Sequence, residues 1–145
     1  MSHYQLSSDQ MPTDPELLSA YKLLCEKRDG KGRGELKDAF AVIDKHGVVR
    51  IYNCYLKNAD LTGLMLFRKN LRDSNLDGAN LSDARFDQVG FDGSCLTNVN
   101  FEEAILKRVD LRRVTGLSGA HWDEVILDGA RLPKMELVGE YCSYD

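Results

Sequence analysis

From Val49 onward a large apolar residue falls at every fifth position. The series reads Ile51, Leu56, Leu61, Leu66, Leu71, Leu76, Leu81, Phe86, Phe91, Leu96, Phe101, Leu106 and Leu111. An extra residue near Val114 shifts the phase, and the beat resumes at Leu117, Trp122, Leu127, Leu132 and Leu137. Two positions before most of these sits a small residue, among them Cys54, Ala59, Ser74, Ala79, Ala84, Ser94, Ala104, Thr115, Ala120 and Ala130. A helix repeats every 3.6 residues and a strand every 2.0, so neither explains a period of five. The pattern predicts a repeat architecture. Each unit buries one large and one small side chain and turns three outward. Four units close a square turn, and successive turns stack through parallel backbone hydrogen bonds, with contacts only between neighbouring coils.

Units such as ADLTG (59–63), SNLDG (74–78), ANLSD (79–83), ARFDQ (84–88) and VNFEE (99–103) carry a closer likeness. They resemble the pentapeptide-repeat family, whose pattern is A-(D/N)-L-x-x. The resemblance covers about two thirds of the chain. It implies a mainly β fold, a right-handed quadrilateral β-helix, without enzyme activity or cofactor. Leu64, Lys69 and Met135 are large for the small-residue slot and predict distorted corners, and the extra residue near Val114 predicts a bulge.

Ahead of the repeats, the pattern changes to helical spacing. Asp14 is a candidate cap, Pro15 suits the first helical position and Glu16 complements the helix dipole. Leu17, Leu18, Tyr21, Leu24 and Cys25 then form one apolar face of a helix that stops before Gly30. A loop at 29–34 leads to a second helix over Glu35 to Lys45, with Leu36, Ala39, Phe40 and Ile43 on one side and Gly47 after its end. These helices are too small for a core of their own. The expected organisation is an N-terminal helical cap or accessory element over 1–48, the β-helix over 49–139 and a tail over 140–145. The loop DGKGRG fails as a calcium site because Lys31 and Arg33 stand where oxygen ligands belong. It also lacks the spacing of a phosphate-binding loop.

Composition narrows the function. The 145 residues carry a formal charge of −4, which disfavours direct binding to nucleic acid or an anionic membrane. No apolar run approaches the ~20 residues of a membrane span, and the N-terminus lacks a signal peptide's apolar core, so a cytoplasmic location is expected. Cys25, Cys54, Cys95 and Cys142 form no C-x-x-C pair and read as reduced thiols. His3, His46 and His121 sit in no catalytic motif, and no metal-ligand spacing is present.

Residues twenty apart stack on one wall of such a coil. Units 59–63, 79–83, 99–103 and 120–124 gather Asp60, Asp83, Glu102, Glu103, Asp123 and Glu124, six acids with no lysine or arginine among them. The opposite wall gathers Arg50, Lys69, Arg72, Arg112, Arg113, Arg131 and Lys134 against Asp73, Asp92 and Asp110. Stacked like charges repel, and nothing in a coil demands them. Six carboxylates approach the charge density of one DNA strand, with a phosphate every ~3.4 Å. The family resemblance points the same way, since several members resemble B-DNA in shape and charge and act on DNA topoisomerases. Small phage-borne inhibitors of CRISPR complexes also use acidic mimicry. The expected function is a non-enzymatic DNA mimic that blocks the DNA-binding site of a CRISPR effector or, less favoured, a type II topoisomerase such as gyrase. Whether it acts as monomer or dimer stays open. The alternative is an adaptor solenoid, using Tyr52, Tyr55, Met65, Phe67 and Ile105 as an interface unless the N-terminal helices bury them.

Overall fold

The computed structural model describes residues 12–26 and 34–133. The expectations for residues 1–11, for most of the 29–34 loop and for everything from Lys134 onward, including His3, Met135, Leu137 and Cys142, lie outside the described residues.

Helix α1 spans Pro15–Cys25 and helix α2 spans Gly34–Lys45. Asp14 caps α1 as expected: its carboxylate accepts from the Leu17 N–H at 3.0 Å, satisfying one of the orphan donors of the first turn. Helix α2 begins one residue earlier than the pattern predicts. Four short parallel strands follow, β1 (Met65–Phe67), β2 (Arg85–Asp87), β3 (Ile105–Lys107) and β4 (Ile126–Asp128). They form one sheet in the order β1-β2-β3-β4. The other three walls are held by single parallel bridges, such as Tyr55↔Asn75↔Cys95 and Asp60↔Asn80↔Asn100. Every partner lies twenty residues on until the fourth coil. There Asp110↔Arg131, Cys95↔Gly116 and Asn100↔His121 are twenty-one apart. Val114, buried at the corner between walls, absorbs the extra residue.

The period of five is thus a coil with the large residues inside from Ile51 to Leu117, whereas Trp122 is half-buried and Leu127 and Leu132, inward by their place in the repeat, are exposed on the last described coil, where no further described coil covers them. Ile51, Leu61, Phe91, Leu96, Phe101 and Leu111 are fully buried, as are the small Ala79, Ala84 and Ala104. Phe86 and Phe91 pack with ring centres 5.9 Å apart. Phe101 stacks instead on Trp122 of the next coil, at 4.8 Å. On one wall the small slot holds serine for a reason. The hydroxyl of Ser74 accepts from the Cys54 N–H at 3.1 Å, and that of Ser94 accepts from the Ser74 N–H at 3.0 Å. An alanine there would leave buried donors without partners. The oversized slots are accommodated: Leu64 is buried, and the buried Lys69 reaches out to the Asp44 carboxylate of α2 at 3.0 Å.

The two helices close the first coil. Ala20, Leu24, Leu36, Ala39, Phe40 and Ile43 join the same apolar cluster as Ile51, Leu56 and Leu61. They also satisfy the backbone edge that a terminal coil would leave open. The Tyr55 N–H donates to the Leu24 carbonyl at 2.7 Å. The Tyr21 hydroxyl donates to the Arg50 carbonyl at 3.1 Å, and the Lys37 ammonium to the Thr62 carbonyl at 3.0 Å. Cys25 and Cys54 are not disulfide-bonded, but Cys95 is. That corrects the expectation of reduced thiols throughout, because cysteines far apart in sequence give no spacing from which a bridge can be read.

The inward–outward alternation gives a direct stability test. Phe91→Ala should lower the unfolding free energy by about 3–5 kcal/mol, whereas Asp92→Ala, one residue on and half-exposed, should change it by no more than ~0.5 kcal/mol. Denaturant unfolding of both variants measures the difference, and equal losses would contradict the register.

Candidate functional site: an acidic wall

The acidic wall is built by backbone register. The third outward residue of each unit turns a corner with positive φ: Gly63 at 74°, Asp83 at 58°, Glu103 at 60° and Glu124 at 60°. The Asp83 N–H donates to the Glu102 carbonyl and the Glu103 N–H to the Asp123 carbonyl, each at 2.9 Å. These bonds stack Asp83, Glu103 and Glu124 one coil apart, with Glu102 and Asp123 beside them. All five are exposed.

Asp60 does not join them as a free charge. It is half-buried and folds back onto its own turn, where its Oδ1 accepts from the Thr62 hydroxyl at 2.7 Å and from the Thr62 N–H at 3.3 Å. Asn80 and Asn100 play the same part in the next coils, accepting from the Ser82 and Glu102 N–H groups at 2.9 Å. The first outward position of this wall is therefore a turn-closing site. The free acid lies on the second, third and fourth coils, away from the cap.

Crowding shows in protonation. The Glu103 carboxyl is held above its usual range, first by a hydrogen bond to the Asp83 side chain and then by repulsion from Asp83, Glu102 and Glu124. No ion pair reaches Asp83, Glu102, Glu103, Asp123 or Glu124 among the described residues. The basic wall is different. Lys69 is buried against Asp44, Arg72 lies 3.4 Å from Asp73, and Arg112 clasps Asp110 at 2.8 Å. That clasp holds Asp110 below the usual carboxylate range. Segregated charge in the sequence thus becomes one wall of uncompensated acid and an opposite wall on which three of the six described bases, Lys69, Arg72 and Arg112, are paired with acids.

Two further features were beyond the repeat pattern. Met65 and Phe67 stay 71% and 52% exposed, so the N-terminal helices do not cover them, while Ile105 and Tyr52 are half-buried and Tyr55 is buried. The stacking rule places these residues, but exposure depends on where the helices settle. The second feature joins the ends of the two helices. Glu16 accepts from Lys45 at 3.1 Å, and His46 lies 3.4 Å from Glu16 and 3.8 Å from Asp14. Ligand atoms of Asp14, Glu16 and His46 come within 4.8 Å of one another. With the Lys45 ammonium already on Glu16, the cluster ties α1 to α2.

Against known proteins, a family model described as "Pentapeptide repeats" matches residues 54–93 and 68–102, in 8 copies. No curated protein matches the chain by sequence. Among solved structures, a pentapeptide repeat protein (Rfr23) from the cyanobacterium Cyanothece 51142 is 28% identical with a TM-score of 0.55, over 59% of this chain and 57% of that one. HetL, a pentapeptide repeat protein involved in heterocyst differentiation regulation from Nostoc sp. strain PCC 7120, is also 28% identical, with a TM-score of 0.33 over 60% of this chain and 42% of that one. Trypsin-treated QnrB1, a plasmid-mediated fluoroquinolone resistance protein, is 17% identical, with a TM-score of 0.48 over 56% of this chain and 44% of that one. The chain therefore spans less than two thirds of each of these structures.

The Asp83–Glu103 contact has a measurable signature. A carboxyl raised above its unfolded value of 4.5 stabilises the fold fully at pH below that value, and the stabilisation is lost as pH rises through the folded value. Glu103→Gln removes the loss. Its melting temperature relative to the unsubstituted protein should therefore rise as pH goes from about 4 to 7; a gap that is flat or shrinks with pH would show that the two carboxyls do not interact.

Proposed function

The chain is a pentapeptide-repeat protein, and on that premise we propose that it is a non-enzymatic DNA mimic that occupies the DNA-binding site of a nucleic-acid-handling protein. The observation that carries this reading is the wall of five exposed, unpaired carboxylates, Asp83, Glu102, Glu103, Asp123 and Glu124. At ~4.8 Å per coil their three coils span about 10 Å. Duplex DNA carries one charge per ~1.7 Å of axis, hence about six charges over that length. The coil thus offers a phosphate-binding groove the charge density it is built to hold. Asp60 adds to the field of this wall while its Oδ1 closes the turn. The rigid inter-coil ladder keeps the acids at fixed spacing, so little ordering is needed on binding.

A short footprint favours a CRISPR effector, which reads a short duplex element beside its target, over the longer DNA segment held by gyrase. The location that fits both partners is cytoplasmic. Exposed Met65 and Phe67 support a second reading, an adaptor solenoid whose partner engages the strand wall rather than the acids.

Substituting Glu102→Gln, Glu103→Gln, Asp123→Asn and Glu124→Gln removes four charges at constant size. Exposed carboxylates contribute little to stability, so the fold should persist. Inhibition of the target's DNA binding should fall by at least tenfold, lose its salt dependence and no longer compete with duplex DNA. Arg112→Gln with Arg113→Gln on the opposite wall should leave inhibition intact. The reverse outcome, with the arginine pair essential and the acids dispensable, would replace mimicry with the adaptor reading.

A further inference from the structure

One wall of the coil is buried along a row where its neighbours are not. Tyr55, Asn75, Cys95 and Gly116 form a row of outward positions, and all four are buried. Thr97, two residues after Cys95 on the same wall, is buried too. The equivalent rows on the two flanking walls, Arg50–Asn70–Gly90–Asp110 and Asp60–Asn80–Asn100–His121, contain no buried residue. Outward groups on a coil wall lose contact with water when another segment lies over them. Among the described residues, the helices hydrogen-bond to this row through the Leu24 carbonyl, which accepts from the Tyr55 N–H in the first coil. Cys95, two coils on, is fully buried and disulfide-bonded. The chain has four cysteines, and Cys25 and Cys54 are not disulfide-bonded, so Cys142 is the remaining partner within the chain.

We propose that Cys95 and Cys142 form this disulfide, and that residues 134–145 return across the wall as a strap that the bond holds in place. The path fits. Arg131 stacks on Asp110, and Asp110 on Gly90, so after Pro133 the chain reaches the corner that, in the earlier coils, leads onto the wall of Cys95. Two coils at ~4.8 Å each separate that corner from Cys95, about 10 Å. Cys142 comes nine residues after Pro133, and an extended chain covers ~3.3 Å per residue, so the segment is long enough to return. Its Met135, Leu137, Val138 and Tyr141 supply apolar side chains for covering a wall. The bond is reversible by exchange. A low-molecular-weight disulfide, RSSR, takes the two electrons and two protons of the Cys95 and Cys142 thiols and leaves as two RSH, and a dithiol reductant reverses the step. In a reducing compartment such a bond is transient, which makes strap and wall a redox-sensitive site. None of the acids of the candidate site takes part, so the inference stands apart from the mimicry reading.

The test uses the full chain, equilibrated with excess oxidised glutathione or with dithiothreitol. After alkylation of free thiols and tryptic digestion, the oxidised sample should show peptide 86–107 joined to peptide 135–145, with Cys25 and Cys54 alkylated. A glutamate-specific protease should cut after Glu136 or Glu140 at least tenfold more slowly in the oxidised chain, and the reduced chain should melt roughly 5–10 °C lower. Cys142→Ser should abolish both responses to the oxidant, whereas Cys25→Ser should keep them. Unlinked Cys95 in the oxidised sample, a link to Cys25 or Cys54, or a Cys95 bond between two chains on a non-reducing gel overturns the proposal. A Cys95–Cys142 link with cleavage and melting equal in the two samples overturns the strap.

Discussion

The backbone hydrogen bonds between coils are the constraint on which everything else depends. The bonds pair residues twenty apart by letting each N–H reach a carbonyl nineteen or twenty-one positions away, and the register holds on every wall until the single extra residue near Val114 moves the pairing to twenty-one. Because the ladder fixes rise and register, a residue's wall and neighbours follow from its number alone. Inward slots become a continuous core, and outward slots become straight rows. A row of like residues is then a row of like chemistry about one coil apart, something a helix or an isolated strand does not provide. The acids of the candidate site are exposed, unpaired and evenly spaced for this reason, not because they interact favourably with one another.

The same ladder creates a difficulty at its start, and the N-terminal helices meet it. A first coil has donors and acceptors facing nothing. Leu24, Tyr21 and Lys37 supply partners to Tyr55, Arg50 and Thr62, while Leu36, Phe40 and Ile43 cover the apolar layer. Buried Lys69 fits this scheme. It stands in an inward slot that should hold a small residue, yet its ammonium leaves the coil to meet Asp44. An apparent error in the repeat is thereby a tie between coil and cap.

The period of five made the coil, its inward residues and the walls legible in the sequence, because stacking is set by arithmetic. The helices were legible from Asp14, Pro15 and their apolar faces, apart from one residue at the start of α2. What the arithmetic could not give was the state of each outward group. Asp60 counts as an acid by position, but a neighbouring threonine hydroxyl takes its carboxylate. Arg112 counts as free base by position, but Asp110 two residues earlier neutralises it. Tyr55 counts as outward but is buried, whereas Met65 and Phe67 stay in water. These outcomes depend on side-chain rotamers and on the docking of separate elements, for which a repeat pattern carries no information.

The central claim is that a partner reads the acidic wall as DNA. A structure of the complex with a CRISPR effector or with gyrase tests it most directly. The account predicts Asp83, Glu103 and Glu124 facing the basic residues that otherwise hold phosphates, with the protein lying along the path of the DNA. A complex in which the partner contacts the Arg112 and Arg113 wall or the helical cap, and leaves that path open, would contradict it.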